Sequence, residues 1–189
     1  MKKILLLFLP LFAVSCNNRD ASVAIWKSAA FMSNAQDIIV DECNNISKVW
    51  GDAIRYNRCY VQNSGWEVID YDNWYYLHTK NLSEYTYCSD FNEALKVYNR
   101  SERHKWMIGM IDEQMDSCRY YLAQMSSPKK KQKEMCEQAK RTFRSLQALY
   151  DCAAYPSGSY HSYNSDTHSK NNEFMSDFRE LEDMIRYEE

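Results

Sequence analysis

Residues 22–61 read SVAIWKSAAFMSNAQDIIVDECNNISKVWGDAIRYNRCYV. Ile25, Met32, Ile39, Ile46, Ala53 and Tyr60 recur every seven residues, and Cys43 and Trp50 follow Ile39 and Ile46 by four. That spacing gathers apolar side chains on one stripe of a helix and predicts one long helix over this span. Gly51 lies inside it at a cost of ~1 kcal/mol relative to alanine, which a stripe of this length tolerates.

Working outward, three further helices are expected. The second spans about Ser89–Met125, with Ser89 or Asp90 as N-cap. Ala94, Ile108, Met115 and Leu122 form one heptad thread; Val97, His104, Ile111, Cys118 and Met125 form the other. Ser126-Ser127-Pro128 is a stop and restart, with Ser127 as N-cap and Pro128 as first helical residue. The third helix, Pro128 to about Tyr155, carries Cys136, Ala139, Phe143, Leu146, Tyr150 and Ala153 in steps of three and four. Pro156–Ser159 ends it, Gly158 suiting a left-handed cap and Ser159 the next N-cap. The fourth begins in a polar stretch and shows its apolar face from Phe174 through Phe178, Leu181 and Ile185. Four glycines and three prolines in 189 residues leave few breakers. The expected fold is all-α: an antiparallel up-down-up-down four-helix bundle with a coiled-coil-like left-handed twist. An aromatic-rich insertion, residues 62–87, lies between the first two helices.

The chain opens MKKILLLFLPLFAVSC. Lys2 and Lys3 form a charged region, Ile4–Phe12 a short apolar run, and Ala13-Val14-Ser15 a small-residue site ending on Cys16. This is the layout of a removable export signal, and the run is shorter than the ~20 residues of a spanning helix. The placement of Cys16 resembles the lipobox of bacterial lipoproteins, which implies that residues 1–15 are a lipoprotein signal peptide and Cys16 the lipid-bearing residue, with plain secretion as the alternative; residues 16–21 are read as a tether and residues 22–189 as the helical domain. Ala13 stands where such signals usually carry leucine. Loss of residues 1–15 leaves 189 − 15 = 174 residues and moves the formal charge from −3 to −5, as Lys2 and Lys3 depart. One domain with a sizeable core fits that length. An acidic chain without a basic face does not suit nucleic acid.

Six cysteines remain after Cys16, an even number that suggests disulfides in an exported chain. Antiparallel helices reverse about their turns, so Cys118 and Cys136 share a level about Ser127, and Cys59 and Cys88 share one about the insertion. Cys43 and Cys152 each lie ~23 Å below that neck, at 1.5 Å rise per residue. The expected bridges are Cys43–Cys152, Cys59–Cys88 and Cys118–Cys136; buried free thiols are the alternative.

The insertion holds Trp66, Tyr71, Trp74, Tyr75 and Tyr76. These rings either cover bundle ends that lack partners or form a recognition surface, since Tyr and Trp are favoured at interfaces. Lys129–Lys131 with Lys133 stand at a helix N-terminus, where they either pair with Glu182, Asp183, Glu188 and Glu189 or meet anionic lipid. Asp70-x-Asp72-Asn73 is a poor calcium loop, because Trp74 takes a ligand position and no glycine follows. No histidine spacing suits a metal, and no catalytic motif is present. No catalytic residue, metal or cofactor is therefore expected.

Three motifs together, Val49-Trp50-x-x-Ala53-Ile54, Asp90-Phe91-Asn92-x-Ala94-Leu95 and Tyr155-Pro156-Ser157-Gly158-Ser159, resemble uncharacterised small all-helical bacterial lipoproteins. The resemblance covers nearly all of the chain after the signal. It implies a helical fold and brings no functional residue. The expected function is a non-catalytic interaction or scaffolding module of the bacterial cell envelope, lipid-anchored and facing the periplasm or exterior, with an envelope protein as partner. The alternative is a small-ligand- or peptide-binding lipoprotein using residues 62–87.

Overall fold

The structure is a computed structural model that describes residues 21–73, 78–125 and 132–187. Among these residues the chain forms α1 (Ala21–Tyr56), β1 (Cys59–Gln62), β2 (Val68–Asp70), a 3-10 turn (Leu82–Glu84), β3 (Tyr85–Cys88), α2 (Phe91–Arg100), α3 (Glu102–Ala123), α4 (Lys133–Ala154) and α5 (Tyr160–Arg186). The chain is mostly helical, as expected, but it is not a clean four-helix bundle. Five helices carry a small antiparallel sheet of strand order β2-β1-β3.

The heptad stripe holds from Ile25 to Ala53, and each of its members there is buried. Tyr60 departs from it. The helix ends at Tyr56 because Asn57 adopts a left-handed conformation with φ of 62°, which asparagine tolerates better than most residues. The Arg58 N–H then closes onto the Tyr56 carbonyl at 2.7 Å.

The expected second helix is two helices. Ser101, with an extended backbone, is at once the C-cap of α2 and the N-cap of α3, its Oγ accepting from the His104 N–H at 3.2 Å. The β1–β2 turn occupies the break. Arg103 N–H donates to the Ser64 carbonyl at 3.1 Å, so this turn satisfies a donor that the start of a helix otherwise leaves open. Gly65, at φ +82°, passes so close that an added Cβ would lie 2.3 Å from Ser101 Oγ.

The sheet faces the core with Cys59, Val61 and Cys88, which join the main buried cluster. Its strands are only three or four residues long, so any periodic trace they leave in sequence is short.

α1 is the central element, in contact with α2, α3, α4 and α5. Side-chain hydrogen bonds fix the order of levels along it: Gln132 to Ser22 at 2.8 Å, Gln36 to Asn171 at 2.9 Å and Ser47 to Asn164 at 2.6 Å. α4 and α5 share a polar seam in which Gln138 and Thr142 both donate to the Asp177 carbonyl, at 2.8 and 3.1 Å. α5 starts where expected: Ser159 and Ser162 form a reciprocal capping box after Gly158 at φ +90°. Among the described residues no helix is long and apolar enough to cross a membrane.

Candidate recognition surface

The sheet turns tyrosines outward. Tyr60 on β1 and Tyr87 on β3 are registered opposite one another, and Tyr71 follows β2. Ring centroids lie 5.8 Å apart for Tyr60–Tyr71, 5.6 Å for Tyr60–Tyr87 and 5.4 Å for Tyr71–Tyr87. Such spacings stabilise aromatic pairs beyond area burial alone. The Arg58 guanidinium lies 4.5 Å from the Tyr71 centroid and 3.1 Å from Asp72 Oδ1. The Tyr71 N–H donates to the Arg58 carbonyl at 3.2 Å. The cluster is thus held from both the strand and the loop, while Tyr87 is 43% exposed.

Trp66 does not cover a bundle end. It is 61% exposed in the β1–β2 turn, and its face carries the Arg103 guanidinium at 4.2 Å. Arg103 also donates to Asn45 Oδ1 at 2.8 Å. The far end of the helices is closed instead by α2 and the inner face of the sheet. Trp50 is buried there among Phe91, Tyr160 and Tyr163, with centroids at 6.2, 6.4 and 5.6 Å.

Under this end lies a buried ionisable group. Glu42 has no exposed surface. Its Oε1 is 2.7 Å from His104 Nδ1, and its Oε2 accepts from Tyr98 Oη at 3.1 Å and from Asn45 Nδ2 at 3.3 Å. His104 sits on the apolar thread as expected, with this carboxylate as its partner. At the sheet, Tyr85 Oη donates to Glu67 Oε2 at 2.6 Å and Lys80 Nζ approaches the same oxygen at 3.0 Å. The Tyr85 hydrogen bond, and then Lys80, hold the Glu67 carboxyl below its ordinary value. Burial first, and Glu67 second, push Tyr85 up to about 12.

Of the sequence-predicted binding residues, Tyr71 lies in the ring cluster, and Trp66 stands apart from it against Arg103. Trp74, Tyr75 and Tyr76 lie outside the described residues, as do Cys16, the signal segment and Lys129–Lys131. Tyr60, expected as the last rung of the first helix, completes the cluster with Tyr87 and Arg58. The alternation Cys59-Tyr60-Val61-Gln62 is the signal that carries Tyr60.

The six cysteines after Cys16 are buried free thiols, so the three expected bridges are absent. Cys118 turns its thiol to the Ser28 carbonyl at 3.8 Å. α3 and α4 meet each other far less than each meets α1. Burial pushes Cys118 up to about 12 and Cys43 up to about 11. Cys152 is close enough to Cys43 to oppose its ionisation, but the Tyr163 hydroxyl stands beside both. Cys59 and Cys88 are direct cross-strand partners.

A groove of about 420 Å³ between the end of α4 and the start of α5 is lined by Asp151, Cys152, Tyr163 and Lys170. Another, of about 380 Å³, runs between α1 and α5 beside Trp26, Ala29, Phe178 and Ile185. Neither takes a lining residue from 62–87. No protein-family model, curated protein or solved structure matches this chain.

Proposed function

We propose that the chain is an extracytoplasmic lipoprotein of the bacterial envelope, anchored through Cys16, that binds an envelope protein with the tyrosine face of its sheet and carries out no chemistry of its own. The observation behind this reading is where large apolar side chains meet solvent. Val23, Trp26, Tyr120 and Tyr187 do so at the end where α1 begins, and Ile54, Trp66, Tyr87, Phe91 and Tyr155 at the opposite end; Trp106 stands between. Aromatic rings with one wet edge suit both a lipid headgroup layer and a protein interface. A rod anchored at one end and recognising at the other uses both. The signal layout at Met1–Cys16 supports the choice of which end is anchored.

The test places a photo-crosslinking side chain at Tyr87 or at Trp106 in cells that make the full chain. One discrete adduct at position 87, lost on Tyr60→Ala or Tyr71→Ala and absent at position 106, is expected. Equal labelling at both positions would reject the recognition surface. A mature chain without an acyl group on Cys16, or processing indifferent to globomycin, would reject the anchor.

A further inference from the structure

We infer that Cys59 and Cys88 are a modification site: they form a reversible cross-strand disulfide by exchange with a small-molecule or protein disulfide, fastening β3 to β1. The register carries the argument. Cys59 pairs with Cys88 at one end of the ladder, and Asn63 N–H still donates to the Glu84 carbonyl at 2.8 Å beyond the other, so the pairing does not slip. Directly opposed antiparallel residues have Cα atoms ~4.5–5.5 Å apart, inside the ~4.4–6.8 Å that a disulfide spans. Both side chains point inward and are buried together.

The Cys88 thiol also reaches the Thr86 carbonyl of its own strand, at 3.5 Å. A hydrogen bond from Cys59 holds Cys88 below its ordinary value, with the Val61 main chain assisting. The same bond, followed by burial, raises Cys59. Asp52 and Asp70 face Cys59, and Asp90 and Glu93 face Cys88; all four oppose a thiolate. Position selects the nucleophile: Cys88 lies on the edge strand, where an oxidant arrives first, and Cys59 on the central strand behind it. Access comes through β3, a four-residue strand that among the described residues lies at the sheet edge and pairs with β1; short edge strands open locally at low cost.

The exchange balances as follows. The Cys88 thiolate attacks one sulfur of glutathione disulfide, forming a mixed disulfide and releasing one glutathione thiolate. Cys59 then loses its proton to solvent and attacks the Cys88 sulfur, releasing the second. The dithiol gives up two electrons and the oxidant takes them. Tyr60 and Tyr87, the neighbours of the two cysteines, are in ring contact on the opposite face, so the bridge also holds that contact.

Trypsin separates every cysteine. Cys59 falls in the peptide Cys59–Lys80 and Cys88 in Asn81–Lys96. Protein purified from the cells that make it is equilibrated with reduced and oxidised glutathione, alkylated and mapped without reductant. The expected product is these two peptides joined, lighter by two hydrogens and separated by reductant. Cys59→Ala should collect glutathione on Cys88, and Cys88→Ala should leave Cys59 unmodified. Cys88 joined to another cysteine, or a free 59/88 pair after other thiols have oxidised, would overturn the inference. Adduct on Cys59 in Cys88→Ala as fast as on Cys88 in Cys59→Ala would overturn the choice of nucleophile. The wild-type map decides the bridge even if either variant fails to fold.

Discussion

His104 Nδ1 lies 2.7 Å from Oε1 of Glu42, joining the middle of α1 to the first turn of α3 across a site where the carboxylate has no contact with water. Tyr98 and Asn45 give Glu42 neutral donors, and no lysine or arginine touches it directly among the described residues. His104→Ala should therefore destabilise by ~3–5 kcal/mol, the usual cost of stranding one member of a buried pair. Urea unfolding followed by far-UV circular dichroism measures it. The double change Glu42→Met, His104→Leu should recover most of that loss; recovery of none would mean that the pair itself holds α3 in place.

Gly65→Ala tests the joint between the β1–β2 turn and the α2–α3 break. A methyl group there would meet Ser101 Oγ at 2.3 Å and Ser101 Cβ at 2.7 Å, on a backbone with φ of +82°. A loss of ~1–3 kcal/mol is expected from strain of this kind. Hydrogen exchange should quicken at Arg103 and His104 before it does in α4. Unchanged protection at both amides would show that the turn is not seated in the break.

Tyr85 and Glu67 set a pH signature. Glu67 is held below its ordinary value near 4.5, so its contribution is present above that pH and fades as pH falls through the lowered value. Tyr85 is raised from 10.0 to about 12. Above pH 10 an unfolded chain ionises this phenol while the folded one does not, so its contribution fades as pH climbs toward 12. The stability difference between wild type and Tyr85→Phe should be flat between these limits and shrink at both. A difference independent of pH would exclude the hydrogen bond as its source.

Two tryptophans should lose very different amounts of stability on truncation. Trp50→Ala empties a site packed by Phe91, Tyr160 and Tyr163 and should cost ~3–5 kcal/mol. Trp66→Ala removes a cation–π contact with Arg103 at a largely exposed position, worth ~0.5–1 kcal/mol. Thermal melts of both variants decide this, and comparable losses would mean that Trp66 is part of the core.

Much of the helical frame was legible because its signals are local. The stripe from Ile25 to Ala53 and the Gly158–Ser159 cap need only their own neighbours in sequence. The break at Ser101 had a faint trace: Ser101 occupies the seat that the thread Ala94, Ile108, Met115, Leu122 skips. Glu42 had one too, on a second seven-residue thread with Ser28, Ala35 and Val49, all buried. Its small and polar side chains do not mark that thread as a core stripe. The sheet left less. Its strands acquire their register from packing against α2 and from hydrogen bonds to distant residues, so Tyr60 read as the last rung of a helix and Tyr87 carried no signal of its own.

α1 runs 36 residues without interruption, about 54 Å at 1.5 Å per residue. It therefore acts as a ruler. Anything gripping the tyrosines is kept a set height above whatever grips Ala21, and that height is written in the number of residues in α1. Excising one heptad from α1 with its counterparts in α3, α4 and α5 would lower the platform by about 10 Å.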